Sequence, residues 1–391
     1  MGSQRNRIVT ITLFGTFVVI MLLLTTLRPT PPVDLAVYLR AAKMFATGGG
    51  LYDNGWGATL AVPLPYTYPP VWAGLLSPVG WLPWRIASLA WTALNIALLA
   101  WIVHLCYTRF LDRKGEARSV WFVVIVIAAA LTTPIASVFW FGQLGIVLTA
   151  VCLADVVPER TRLPRGVLVG FAGALKLTPG IFAVSWLTTK RWRPALVAAA
   201  TSVGLWLAAA IARPDLSRQF WTEVVFRNDR VGDASFVSNQ SVHGWLVRSG
   251  WSEPLVWALL VAVVLFIGLG RARIAHTAGD ELAAGTIIGL TALLVSPVSW
   301  IHHGVWIVPA AGVLLGDGRE TWRWVSAAGV LAVFVLRLPD WVADGRLAVG
   351  PFLTPLLENA YVLAYVLLLV FLPVRTAARD RYPAVESSAP A

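Results

Sequence analysis

The 391-residue chain is 58% hydrophobic and 13% charged, with a mean hydropathy of +0.72, which excludes a water-exposed globular surface and leaves the bilayer as its solvent. The formal net charge of +11 does not point to nucleic acid, because Lys and Arg fall in short turns between apolar runs and form no continuous stripe or recognition motif. Cys106 and Cys152 each lie inside an apolar stretch, so neither a disulfide framework nor a CxxC metal site is expected.

The first apolar run, 8–27, follows Arg5 and Arg7 and ends in Arg28-Pro29-Thr30-Pro31-Pro32 without a small-residue cleavage pattern, so it reads as a retained span. A crossing needs about 20 apolar residues. Further candidates fall at 86–106, 119–140, 144–157, 166–176, 179–189, 195–212, 254–270, 283–297, 303–316, 324–338 and 356–373, about 12 spans in all. The pattern is that of an all-α polytopic membrane protein. Segment 71–83, short and carrying two prolines, reads as re-entrant or interfacial in the first outer loop.

With the N-terminus in the cytoplasm, the basic turns 109–118, 159–165, 190–193, 271–273 and 319–323 all lie inside, as do Arg375, Arg379 and Arg381. The opposite side receives loops 28–85, 213–253 and 339–355. In 213–253 the bases Arg213, Arg218, Arg227, Arg230 and Arg248 are balanced by Asp215, Glu223, Asp229, Asp233 and Glu253. Residues 1–381 read as one membrane domain and 382–391 as a polar cytoplasmic tail.

An ionisable group at membrane depth costs about 2.5–3.5 kcal/mol, so polar residues that interrupt apolar sequence are informative. They gather at the outer ends of the spans. Asp34, in Val33-Asp34-Leu35-Ala36-Val37-Tyr38, reads either as the N-cap of a helix starting at Leu35 or as a reactive carboxylate. Gln143 follows Gly142 at an outer turn. Lys176 sits in Leu175-Lys176-Leu177-Thr178-Pro179, where the proline must break the helix; it either snorkels or lines a cavity. Asn239, Gln240 and His243 occupy the second large loop. Asn239-Gln240-Ser241 also fits an N-glycosylation pattern, which is discounted as a short motif. Trp300, His302 and His303 follow Ser296-Pro297-Val298-Ser299. The two histidines resemble half a metal site, but adjacent histidines point apart and no carboxylate flanks them, so hydrogen bonding or phosphate contact is expected and no metal is assigned.

One carboxylate, one lysine, imidazoles and amides suit group transfer from a phosphate-linked donor. Asp34 would take the proton from an attacking hydroxyl. Lys176 with His302 or His303 would neutralise the departing phosphate. Trp56, Tyr66, Tyr68 and Trp300 offer flat faces to sugar rings. No Walker sequence and no GxGxxG after a strand is present, and an external site has no access to cytosolic nucleotide sugars, so a membrane-borne donor and no separate cofactor are expected.

Taken in order, Val33 to Tyr38, Tyr68-Pro69-Pro70, Gly142-Gln143, Lys176-Leu177-Thr178-Pro179, Asn239-Gln240-Ser241, and Ser296 to Trp300 with His302-His303 resemble the motifs of GT-C glycosyltransferase family 87 across nearly the whole chain. The resemblance implies a GT-C-type helical fold and a polyprenyl-phosphate-mannose-dependent α-1,2-mannosyltransferase. Its donor would be polyprenyl-phosphate-mannose and its acceptor a glycolipid of phosphatidylinositol mannoside or lipomannan type. It also implies Asp34 as general base, with substrate contacts at Tyr68, Gln143, Lys176, Asn239, Gln240, His243, Trp300, His302 and His303. A single inverting displacement needs one essential carboxylate, and Asp53, Asp340 and Glu358 are the nearest candidates for a second. The competing reading is a transporter or flippase of lipid-linked sugars, which would show matching broken helices in its two halves; only the break near Lys176 is clear.

Overall fold

A computed structural model of the chain describes residues 2–53, 64–251 and 253–375; Trp56, Arg379, Arg381 and the tail 382–391 lie outside the described residues. Among the described residues every regular element is a helix, and the one isolated β-bridge pairs Asn239 with Trp300. All twelve candidate segments fall on helices, but few are long. Five helices meet the length and hydropathy of a full crossing: Gln4–Thr26, Trp84–Asp112, Trp192–Ala212, Pro254–Thr277 and Thr321–Ala343. A sixth is the pair Gly115–Ala130 and Thr133–Phe141, bent by 72°.

The bend corrects the expectation of one continuous span over 119–140. The first helix ends at Ala130, Thr132 is extended (ψ 142°), and Pro134 opens the second helix, where its missing N–H costs nothing. Residues 271–273 are likewise not a turn, because their helix continues to Thr277. Segment 71–83 folds as a short helix, Pro70–Leu76, followed by a single turn, Ser77–Val79. Those ten residues reach only about 15 Å, half a hydrocarbon core.

The apolar residues that make the chain insoluble point both ways. Leu99, Ile102, Phe110 and Ile287 are fully buried, whereas Leu196, Ile211, Leu255 and Phe266 lie exposed along the long helices, as a lipid-facing surface requires. Cys106 and Cys152 are buried free thiols.

Small residues bring helix Val167–Leu175 against Trp192–Ala212. A Cβ on Gly166 would lie 2.2 Å from the Pro194 carbonyl, and one on Gly170 would lie 2.4 Å from the Ala198 carbonyl. Across this seam the Ser202 hydroxyl donates to Gly170 O and the Trp206 indole to Ala174 O. The start of the helix is held by buried Asp155, whose carboxylate accepts from the N–H groups of Gly166 and Val169. The seam therefore holds in place the helix that ends at Leu175, next to Lys176.

Each of three short helices has one end at a common cavity and the other among arginines. Gly145–Val156 starts beside Gln143 and ends where Arg165 caps the Asp155 and Val156 carbonyls. Glu281–Val295 ends at Ser296 and starts where Glu281 meets Arg191 and His276. Ile307–Leu315 follows the two histidines and ends where Arg323 donates to the Val313 and Leu314 carbonyls. The polar segments singled out in the sequence thus share one end of the bundle.

The helix seam makes a direct prediction. Gly170→Ala places a methyl group against backbone that cannot yield and should destabilise the protein by about 1–3 kcal/mol. Gly204→Ala, with nothing within 4 Å of the added Cβ, should be neutral or slightly stabilising. Thermal melting in detergent separates the two, and equal melting temperatures would contradict the close approach.

Candidate active site

The common end encloses a cavity of about 290 Å³, near the lower limit of about 300 Å³ for small-molecule sites. Asp34, Tyr68, Gln143, Lys176, Trp300, His302 and His303 all line it, from five separate stretches of chain. Asp34 is the one carboxylate in its wall among the described residues.

Asp34 does not cap its helix. The helix runs Val33–Thr47, with Pro32 at the N-cap, so Asp34 falls in the first turn and Pro32 offers no side-chain cap. Its carboxylate is thereby free for the cavity, at a helix end whose dipole favours negative charge. Burial raises its pKa from the ordinary carboxylate range to about 6, with the hydrogen bond from Gln143 and the charge of Lys176 pulling it back down. The group is only partly enclosed, since it keeps surface on the cavity.

Lys176 sits in the helix break expected from Pro179. Its backbone is extended (φ −147°, ψ 133°) between Leu175 and the turn Thr178–Gly180. The ammonium lies 2.8 Å from His303 Nε2 and 5.6 Å from the centre of the Tyr68 ring. An ammonium has only donors, so this contact holds His303 as a neutral ring with its proton on Nδ1. His302 stands edge-on to His303, with centroids 4.7 Å apart, and its Nε2 is buried without a hydrogen-bond partner. Both histidines thus border the cavity in different roles: His303 orders the lysine, and His302 offers an unused nitrogen. Among the described residues no third His, Cys, Asp or Glu joins them into a metal-sized cluster.

Asn239, Gln240 and His243 do not line the cavity. Their polar atoms go to backbone groups around the cavity loop. Asn239 donates to the Ala234 and Pro297 carbonyls and accepts from Ser299 N at 2.9 Å. Gln240 donates to the Val237 and Glu358 carbonyls and accepts from Val362 N. His243 Nδ1 lies 3.2 Å from Pro297 O, and its ring packs on Trp257. Together with the hydrogen bond from Gln240 N to Ser299 O, they clamp the Ser296–Trp300 loop from behind. That loop carries Trp300 and leads into the histidines. Asp340, bonded to Arg337, and Glu358 are also absent from the wall.

Sequence reasoning missed Arg227 and Arg230, which line the cavity from the 213–253 loop, and Tyr38. Nothing in the pattern of that charge-balanced loop separates these two arginines from the other three. Tyr38 was findable: it is four residues from Asp34, hence on the same helix face. Its hydroxyl lies 3.1 Å from both Tyr68 Oη and Gln143 Oε1.

The fold and site define a helical protein with five or six helices able to cross a membrane and, at one end, a cavity lined among the described residues by one carboxylate, three cations and several aromatic rings. The profile of glycosyltransferase family 87 matches residues 66–297, and the chain belongs to that family. It is similar to two proteins named polyprenol-phosphate-mannose-dependent α-(1-2)-phosphatidylinositol mannoside mannosyltransferase. One is from Mycobacterium tuberculosis, at 34% identity over 307 residues, covering 74% of this chain and 71% of the relative. The other is from Mycolicibacterium smegmatis, at 35% over 329 residues, covering 78% and 74%. A third relative, the Mycolicibacterium smegmatis polyprenol-phosphate-mannose-dependent α-(1-2)-phosphatidylinositol pentamannoside mannosyltransferase, is 32% identical over 322 residues, covering 78% of this chain and 75% of the relative. No solved structure matches the chain.

The clamp is testable apart from catalysis. Asn239→Ala strands the buried Ser299 N–H and should lower stability by about 1–3 kcal/mol, seen as a lower melting temperature. Unchanged melting with a raised KM would instead make Asn239 a substrate contact.

Proposed function

We propose that the protein transfers mannose from polyprenyl-phosphate-mannose to a mannosylated glycolipid of the phosphatidylinositol mannoside or lipomannan type, with inversion, to form an α-1,2 linkage. The observation that carries this is Asp34, a lone carboxylate facing Lys176 across the cavity. The names of the relatives supply the donor and the acceptor class. Asp34 lies ahead of residues 66–297, so its role rests on its geometry and on the motif around it.

In the reaction an acceptor hydroxyl gives its proton to Asp34 as its oxygen attacks the anomeric carbon of the β-mannosyl phosphate. The bond from that carbon to the phosphate oxygen breaks, and its electron pair leaves with polyprenyl phosphate. Lys176, with Arg227 and Arg230 on the opposite wall, meets the charge that builds on the departing phosphate. His302 lines the cavity beside His303 and adds a ring to the wall around the sugar phosphate. Trp300 and Tyr68 give the sugar flat walls. Asp34 then releases its proton to solvent as the product leaves.

The reading extends to topology. The arginine-capped helix ends face the cytoplasm under the positive-inside rule, and the cavity then opens on the periplasmic side of the plasma membrane. Both termini are cytoplasmic. The shorter helices complete about 12 passes, with Pro70–Leu76 interfacial.

Purified protein with radiolabelled polyprenyl-phosphate-mannose and a panel of mannosylated glycolipids tests the proposal. Asp34→Asn should lower transfer by about 10²-fold or more while donor lipid still binds; substantial transfer by that variant would remove Asp34 as the base. Because a base works only when ionised, kcat/KM of the intact enzyme should rise tenfold per pH unit below about 6 and level off above it. A rate independent of pH from 5 to 7 would contradict the assignment. Lys176→Met should cost about 10²–10³-fold in kcat.

A further inference from the structure

The proposed chemistry of the cavity uses Asp34 and the cations, but the wall also carries an amide, Gln143. An amide has two nearly isosteric ends, one donating and one accepting, and only the donating end favours an ionised neighbour. The surroundings of Gln143 decide which end faces Asp34. The hydroxyls of Tyr38 and Tyr68 lie 3.1 Å and 3.3 Å from Gln143 Oε1, so two donors meet the carbonyl and leave the NH₂ as the free end of a side chain whose turn packs on the first turn of the Asp34 helix.

Each partner is itself held. Tyr38 stands edge-on to Tyr68 and Trp72, with centroids 5.5 Å and 5.8 Å away. The Tyr52 hydroxyl donates to Tyr68 O, which fixes that loop. Gly142 takes φ +73°, and a Cβ there would lie 2.7 Å from Leu35 Cβ, so the Gln143 turn sits directly on the first turn of the Asp34 helix. Gln143 N closes that turn on Val138 O.

We propose that Gln143 is the positioning residue of the base: oriented by Tyr38 and Tyr68, its amide holds the Asp34 carboxylate as the ionised acceptor and leaves the outer carboxylate surface to the incoming hydroxyl. This reassigns Gln143 from substrate contact to support of the base, and it rests on Asp34 acting as that base. The other charged or titratable groups of the cavity wall among the described residues are Lys176, His302, His303, Arg227 and Arg230; the Lys176 ammonium lies on His303 Nε2, and the contacts on Gln143 Oε1 are the two tyrosine hydroxyls. Burial pushes the Tyr38 and Tyr68 hydroxyls up, so both remain donors throughout the working range.

The acid limb of kcat/KM reads this arrangement, and a merely structural role would not move it. Gln143→Leu should shift the midpoint upward by about one pH unit, which leaves the variant about elevenfold below its own plateau at pH 6, against about twofold for the intact enzyme. The double variant Tyr38→Phe with Tyr68→Phe keeps the rings but frees the amide to turn, and should shift the midpoint in the same direction. Adding the two Phe changes to Gln143→Leu should bring no further shift, because the tyrosines act through the amide. A midpoint unmoved in Gln143→Leu overturns the proposal, as does a tyrosine effect of the same size with Gln143 absent. Should Gln143→Leu not fold, the double Phe variant decides alone, an unmoved midpoint counting against. Failure of the underlying function looks different: Asp34→Asn would then keep its transfer activity, whatever Gln143 does.

Discussion

The site depends on keeping one carboxylate ionised in a place that resists it. Burial raises the Asp34 pKa to about 6, close enough to neutrality that the group is ionised at physiological pH yet still basic enough to take a proton. Two influences work against burial and hold the pKa down, the Gln143 amide and the Lys176 ammonium. Much of the local architecture serves these two contacts. The Gly142 turn seats Gln143 on the Asp34 helix, and the glycine seam with helix Trp192–Ala212 anchors the helix from whose end Lys176 extends.

Around this pair the wall is built in two layers. Residues with surface on the cavity include Tyr68, Trp300 and His302, while Asn239, Gln240 and His243 spend their polar atoms on backbone behind it. The division follows from the cost of burying polar groups: an amide enclosed by protein must find partners, and carbonyls of an irregular loop at the end of a helix supply them. A loop such as Ser296–Trp300, which has no helical hydrogen bonds of its own, keeps its shape because these side chains substitute for the missing ladder.

How much of this was readable from sequence follows the physics of each signal. Hydropathy located the long apolar helices, since apolar runs of the right length have few other fates in a bilayer, but it averaged over the 72° bend at Thr132-Thr133-Pro134 and passed over short helices of the outer loops such as Pro214–Thr222. The Lys176 break was legible because Pro179 forbids the continuing helix. Polar residues interrupting apolar sequence marked the right end of the bundle, yet not which of them face the cavity: side-chain direction in a loop has no periodicity, so Asn239 and His303 looked alike. Arg227 and Arg230 were hidden among balancing acids, where charge counting erased them. The N-cap reading of Asp34 failed by two residues, because Pro32 occupies the cap position and opens the helix earlier.

A single carboxylate in the wall among the described residues fits one inverting displacement, whose stereochemical outcome a double displacement does not share. With chemically defined β-mannosyl-phosphate donor, the account predicts that NMR of the glycolipid product shows only α-linked mannose, with no mannosyl-protein adduct during turnover. A β-linked product, or a covalent mannosyl-enzyme trapped on any residue, would contradict it.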